Sequence, residues 1–422
     1  MSGQTMVEKI LASRATVDRV EPGQIVVVHV DTTVALDLNF YDGMWAEPRQ
    51  VYDPDKVVVI YDHVVPAPTK QAATFLARGR EFVNRNKISR FHDVGAAQGI
   101  CHQIIADVPY ARPGEVLVCT DSHTCSGGAL NCAARGIGST ELIYVLARGY
   151  TWFRVGETIR YELLGTLPSG VSAKDAFLDL AGRYGDHVGQ NVEFGGPGMG
   201  SLDMDQRRTL ATMCAEVSAE FAVFEPDPVL AGHLAARGVG MDSAVLPDPD
   251  ARYAARRVVD LASVEPMVGL PDSVVRNTVP VSEVRGRKVN RAFVGSCSNG
   301  TLADLRAVAA TLRGNQVHPN VTFLVTPGSQ QIYREALAEG TIQTITEAGA
   351  LVTTSSCGMC AGFVNALAAG DVCISSSTRN FKGRMGSVDS QIYLASSAAV
   401  AAAAVAGEIV DPRVVMNEEV VA

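Results

Sequence analysis

The sequence predicts an α/β protein of three domains with mostly parallel sheets, and three observations carry that prediction. Short β-branched runs alternate with longer stretches of helical character, the pattern of strands joined by helical crossovers. Residues able to do chemistry stand directly after those runs, where open parallel sheets bind ligands. The composition, 47% hydrophobic and 6% aromatic with 39 glycines in 422 residues, suits a large globular chain of two or three domains.

Taken in order, the chain opens on Met1-Ser2-Gly3-Gln4-Thr5-Met6 and a polar, helix-like stretch with no apolar signal core, so secretion is not expected. The runs expected as strands are 25–31, 57–61, 116–120, 292–295, 322–326, 350–353 and 372–375. Asp62-His63 follow the second, Asp121-Ser122-His123 the third, Ser296-Cys297 the fourth, Ser356-Cys357 the sixth and Thr378-Arg379 the last. A Gly/Pro-rich break at 195–200 and a Pro/Asp-rich stretch at 246–250 read as loops. The expected domains are 1–157, 158–264 and 265–422. The tract 398–407 is mostly alanine and reads as a packed helix. No run reaches the ~18 apolar residues of a membrane span.

A formal charge of −9 and the lack of any basic run argue against a nucleic-acid surface. Nine cysteines, an odd number without framework spacing, suit a reducing cytoplasm that leaves thiolates free for metal or chemistry.

Three of those cysteines stand out: Cys297 in Gly295-Ser296-Cys297-Ser298-Asn299-Gly300, and Cys357 and Cys360 in Ser356-Cys357-Gly358-Met359-Cys360-Ala361-Gly362. Three thiolates are one short of a closed tetrahedral site, and a metal with an open position is a catalyst. The Cys-x-x-Cys pair alone has several readings: a redox dithiol, part of a zinc site, half of an iron-sulfur ligand set completed by Cys297, or buried cysteines. The contexts of a dithiol and of paired zinc ligands are absent here, and the motif by itself leaves the choice open.

Histidines beside carboxylates add a second signal. His63 follows Asp62, His123 lies two after Asp121, and His102 sits in Gly99-Ile100-Cys101-His102-Gln103. A carboxylate on one ring nitrogen fixes the tautomer and raises the basicity of the other. Each histidine could equally be structural; together they point to proton transfer, as in a dehydration. Arg379 and Arg384, five apart around a glycine turn, could clamp a di- or tricarboxylate or be surface charges on a solvated loop. Gly136-Ile137-Gly138-Ser139-Thr140-Glu141 lacks the last glycine of a dinucleotide fingerprint, and no P-loop is present, so no nucleotide cofactor is expected.

These segments, with Thr120 to Thr124 and Ala215-Glu216, together resemble the aconitase and isopropylmalate isomerase family over nearly the whole chain. The resemblance implies three α/β domains around one 4Fe-4S cluster, held by Cys297, Cys357 and Cys360, whose fourth iron has no protein ligand. It implies acid-base pairs of Asp62 with His63, Asp121 with His102 and Glu216 with His123, a carboxylate clamp of Arg379 and Arg384, and Ser122 lining the site. Glu216 comes from the resemblance alone.

The resemblance further implies the large subunit of a split hydro-lyase, inactive by itself. A small subunit carrying a swivel domain would supply a serine base and substrate-binding arginines. The substrate would be a malate-type hydroxy diacid, 3-isopropylmalate or a relative such as dimethylmalate, citramalate, maleate or homocitrate. The chain departs from the pattern at Leu36, where relatives carry glutamine or histidine, and at Thr212 and Thr378, where they carry asparagine. Lost amides and a new apolar side chain predict that citrate fits poorly and a partly apolar diacid better. The rivals are a cluster-free, RNA-binding regulator, which the acidic balance disfavours, and a zinc or dithiol protein.

Overall fold

Chain order begins with a ribbon. In the computed structural model, which describes residues 3–416, β1 (Ile25–His29) runs antiparallel to β7 (Tyr150–Arg154), with Val27 opposite Trp152. The sequence reading had expected one parallel-sheet strand over 25–31. The difference has a visible cause: β1 alternates exposed and buried residues, as a half-solvated antiparallel strand does, while the next run, β2 (Thr32–Leu36), is buried throughout.

β2 is central to a parallel sheet with β3 (Val57–Ile60), β4 (Arg90–His92), β5 (Val116–Cys119) and β6 (Ala133–Gly136), in the order β4-β3-β2-β5-β6. β3 and β5 are continuous apolar runs, as strands covered on both faces require. The helix Lys70–Asn86 covers one face with Phe75, Leu76 and Phe82, and Thr69 caps its start by accepting from Ala72 N at 3.1 Å. The helix Met6–Arg14, which the sequence suggests is polar, buries Met6, Val7, Ile10 and Leu11 in a core shared with Val116, Phe153 and Phe221. A second parallel sheet has the order β10-β9-β8-β11, from β8 (Glu157–Leu164), β9 (Gln190–Gly195), β10 (Ala222–Phe224) and β11 (Ala255–Asp260).

These elements form one compact unit, drawn from residues up to Val94, Ile104–Gly165 and His187–Asp260. A second unit takes Gly95–Gln103, Thr166–Asp186 and the chain from Leu261 onward. Its sheet comprises β12 (Met267–Gly269), β13 (Thr278–Pro280), β14 (Arg291–Val294), β15 (Thr322–Val325), β16 (Leu351–Val352), β17 (Val372–Ser375) and β18 (Gln391–Leu394). The order is β13-β12-β18-β17-β14-β15-β16, parallel from β18 to β16 with β12 and β13 antiparallel at one edge. Ser397–Ala406, the alanine-rich tract, is a helix whose small side chains are almost all buried in this unit's core. Among the described residues no helix is long and apolar enough to cross a membrane.

Both main sheets wind the same way. In the parallel part of each, the chain starts at an inner strand (β2, β14), builds outward on one side, then returns to the other side of the starting strand. Strand order therefore reverses between β2 and β5 in the first unit and between β14 and β17 in the second. Crevices at such switch points, beyond the carboxyl ends of the strands, are where doubly wound sheets bind ligands.

Candidate active site

In the first unit the switch point carries acids and imidazoles. Asp37 follows β2, Asp62-His63 follow β3, and Asp121-Ser122-His123 follow β5. Their side chains connect in series. His63 Nδ1 stands 2.7 Å from Asp62 Oδ1, and His63 Nε2 is 3.5 Å from Asp121 Oδ2. The other Asp121 oxygen accepts His123 N at 2.8 Å and lies 3.2 Å from His123 Nδ1. His123 Nε2 meets Glu216 Oε1 at 2.7 Å. Glu216 arrives on a short 3-10 turn, Cys214–Val217, directly after the helix Met204–Met213. Carboxylate and imidazole thus alternate over five residues.

Burial and charge act in opposite senses on His63. Burial alone would lower its proton affinity, but the charge of Asp62, hydrogen bonds to Asp121 and Asp62, and the charge of Asp37 hold the imidazole well above its ordinary value. The cationic form is favoured, which suits a proton donor.

This array opens on a cavity of about 380 Å³ at the switch point. His63, Asp121, Ser122, Asn39, Thr120 and Ser139 line it together with the apolar Leu36, Leu38, Met44 and Ile137. Gly136, also in the lining, packs against the Asp121 turn. A Cβ there would stand 2.6 Å from Asp121 O and 3.0 Å from Ser122 Cα, so any side chain would displace the Asp121 turn.

In the second unit the candidate ligands follow three strands of one parallel sheet, two of them, β14 and β17, flanking the switch point. Cys297 follows β14, Cys357 and Cys360 follow β16, and Arg379 follows β17. All three cysteines are buried and none is in a disulfide. Gly295, at φ +151°, and Ser296, at φ +89°, lead the chain into Cys297. A serine with positive φ costs on the order of 1–3 kcal/mol, and such strain clusters at functional sites. Arg384 Nη2 donates to Cys360 Sγ at 3.3 Å. Arg379 and Arg384 are both half-buried.

His102 belongs to this unit too. Its segment is fastened to the thiol loops: Ile100 N donates to Gly328 O at 2.8 Å and Gly328 N to Gly300 O at 2.6 Å, while Gln98 Nε2 donates to Ser355 O at 2.8 Å.

Among the described residues, the group of three whose ligand atoms lie within 4.8 Å of one another is Asp37, Asp62 and His63; the thiols form no such group. Thiolates on a single tetrahedral zinc, each about 2.3 Å from the metal, would stand about 3.8 Å apart. Three buried cysteine thiols outside any disulfide are the donor type that an iron-sulfur cluster takes.

Sequence reasoning missed Asp37 and, of the apolar lining, foresaw only Leu36. The signal was present, since Thr32–Leu36 ends on an acid as the run before Asp62 does. Placing a strand at 25–31 concealed it.

The sequence model of the Aconitase family (aconitate hydratase) matches residues 8–285 and 275–407. The chain is 51% identical to the 3-isopropylmalate dehydratase large subunit of Mycolicibacterium smegmatis, covering 99% of this chain and 98% of that protein. It is 41% identical to 3-isopropylmalate dehydratase large subunit 1 of Methanopyrus kandleri, over 97% and 99%. It is 38% identical to the probable methanogen homoaconitase large subunit of Methanothermobacter thermautotrophicus, over 98% of each.

Proposed function

The chain belongs to the aconitase family, and from that membership we propose that it is the large subunit of a hydro-lyase interconverting isomers of a branched malate, 3-isopropylmalate. One observation carries the choice of substrate. The cavity lined by His63 and Asp121 also takes in four apolar side chains, Leu36, Leu38, Met44 and Ile137, which would welcome an alkyl substituent better than a third carboxylate.

Cys297, Cys357 and Cys360 would hold a 4Fe-4S cluster. When bound, such a cluster leaves one iron without a protein ligand, and that iron supplies Lewis acidity toward the hydroxyl and carboxylate of the substrate. The remaining steps belong to side chains. His63 carries a proton on Nε2 that it can deliver to the departing hydroxyl, and after delivery the neutral tautomer keeps its Nδ1 proton against Asp62. Asp121, His123 and Glu216 extend from His63 Nε2 as a route for returning that proton before water adds back. Ser122 lines the cavity on the same side. Arg379 and Arg384 would clamp substrate carboxylates, and His102, paired with Asp121 as the resemblance implies, would be a further acid-base group. A small subunit would bring the base that removes the carbon-bound proton, and a reducing cytoplasm would keep the thiols free.

The test is a specificity series on the enzyme assembled with its small subunit under anaerobic conditions. We expect kcat/KM for 3-isopropylmalate to exceed that for citramalate, homocitrate and citrate by about 10–200-fold, the range one or a few methylenes command in an apolar pocket. Equal constants for citrate and 3-isopropylmalate would overturn the assignment.

A further inference from the structure

We propose that Asp37 is a positioning residue for the acid-base pair, holding the Asp62-His63 turn so that His63 presents Nε2 to the cavity while its Nδ1 stays on Asp62. The assignment deepens the function proposed above and rests on it for the identity of the reaction. Nothing in the sequence motifs had marked this residue.

Its carboxylate grips the backbone of the catalytic turn at three successive residues. Oδ1 accepts from Asp62 N at 3.4 Å and His63 N at 3.2 Å, and Oδ2 accepts from Val64 N at 2.7 Å. Three successive backbone donors at the end of β3 thus share one buried carboxylate. Asp37 itself has no exposed surface, so it does not touch anything in the cavity. It acts through the residues it holds.

The register explains why it reaches. β2 and β3 are parallel neighbours with Leu36 beside Ile60. The two strand ends are therefore level, and the acid following β2 faces the turn following β3. Asn39 fixes the other side of that loop, its Oδ1 accepting Leu36 N at 2.7 Å and Thr120 Oγ1 at 2.8 Å. One short loop thereby ties the ends of β2, β3 and β5 together.

The second consequence is electrostatic. His63 Nδ1 lies 3.8 Å from Asp37 Oδ1 as well as 2.7 Å from Asp62. The acids facing this imidazole from the three strand ends are Asp37, Asp62 and Asp121, and each favours its protonated form. Removing Asp37 should both loosen the turn and make the His63 proton easier to lose.

The experiment uses Asp37→Asn and Asp37→Ala in the assembled enzyme. Asparagine keeps the shape and one carbonyl acceptor but turns an amide toward Val64 N; alanine keeps neither acceptor. We expect kcat to fall tenfold or more in the first and further in the second, with KM within about threefold. Thermal unfolding and iron content report whether the fold and thiol site survive. Independently of turnover, the labelled His63 ring, assigned by His63→Gln among the eight histidines, should titrate at lower pH in both variants by NMR.

Unchanged kcat and unchanged His63 titration in a folded Asp37→Ala enzyme would overturn the assignment. So would a loss of kcat that merely tracks a loss of folded protein. If the wild type turned over none of the diacids while Asp37→Asn still moved the His63 titration, the proposed reaction would fall and the positioning role would stand.

Discussion

His63 is the residue on which the proposed chemistry turns, since it bridges Asp62 and Asp121 and lines the cavity. Replacing it with glutamine should lower kcat by about 10²–10⁴-fold, the usual worth of a positioned acid, while the iron bound by the thiols of the other unit is retained. Steady-state kinetics with iron analysis checks both halves. A different buried group makes the fold pH-sensitive. Glu193 accepts Val7 N at 2.9 Å and Tyr253 Oη at 3.0 Å, and burial pushes its carboxyl from 4.5 up to about 7. The folded state then holds this proton more tightly than the unfolded chain, so stability falls as pH rises from 4.5 through 7, by up to about 3 kcal/mol. Glu193→Gln should remove that slope, read as urea midpoints at pH 5 and 8. The residues at the switch point were unequally legible. Asp62-His63 and Asp121-Ser122-His123 announce themselves as polar triplets closing β-branched runs. Glu216 sits on a 3-10 turn after a polar helix, where nothing local distinguishes it from any surface glutamate.

At the scale of elements, most of the strands that the sequence revealed are short apolar runs with mostly buried side chains. β3, β5, β14, β15 and β17 were expected within a residue or two. β8, β9 and β11 were not, because polar residues interrupt them: Arg160, Glu162, Glu193, Arg256 and Arg257 lie within strands. Their pairing comes from tertiary contacts that local pattern does not encode. One buried cation shows how elements support the thiol site. Lys174, near the start of the helix Ala173–Tyr184, has no exposed surface and donates from Nζ to Ser376 O at 3.2 Å and Ser377 O at 2.7 Å. Those carbonyls end β17 just before Thr378-Arg379, and Ser376 Oγ in turn accepts Gly295 N at 3.1 Å beside Cys297. Lys174→Met should leave two buried acceptors short of a donor, costing about 2 kcal/mol, and should lower iron retention along with the melting temperature. A variant that melts lower but keeps full iron would confine Lys174 to the fold.

For the whole molecule, the decisive question is what one polypeptide can do alone. Its described residues supply proton donors, a thiol set and cationic side chains. The proposed reaction also requires a base to take a proton from carbon at a distinct position. The carboxylates nearest the cavity are already engaged: Asp62 and Asp121 hold His63, and Glu216 holds His123. An acid committed to an imidazole cannot also approach a carbon acid without giving up the cation it stabilises. The relatives that match end to end are named large subunits, which supports a separate small partner as the source of that base. The expected outcome is that the purified chain, loaded with iron and sulfide, binds the cluster through Cys297, Cys357 and Cys360 yet shows no turnover, and that adding the small subunit restores it. In the same assay Cys297→Ser should lose iron and stay inactive with the partner present. Turnover by the unaccompanied chain at a rate near that of the mixture would mean that a side chain of this polypeptide is the base, and the division of labour between subunits would have to be redrawn.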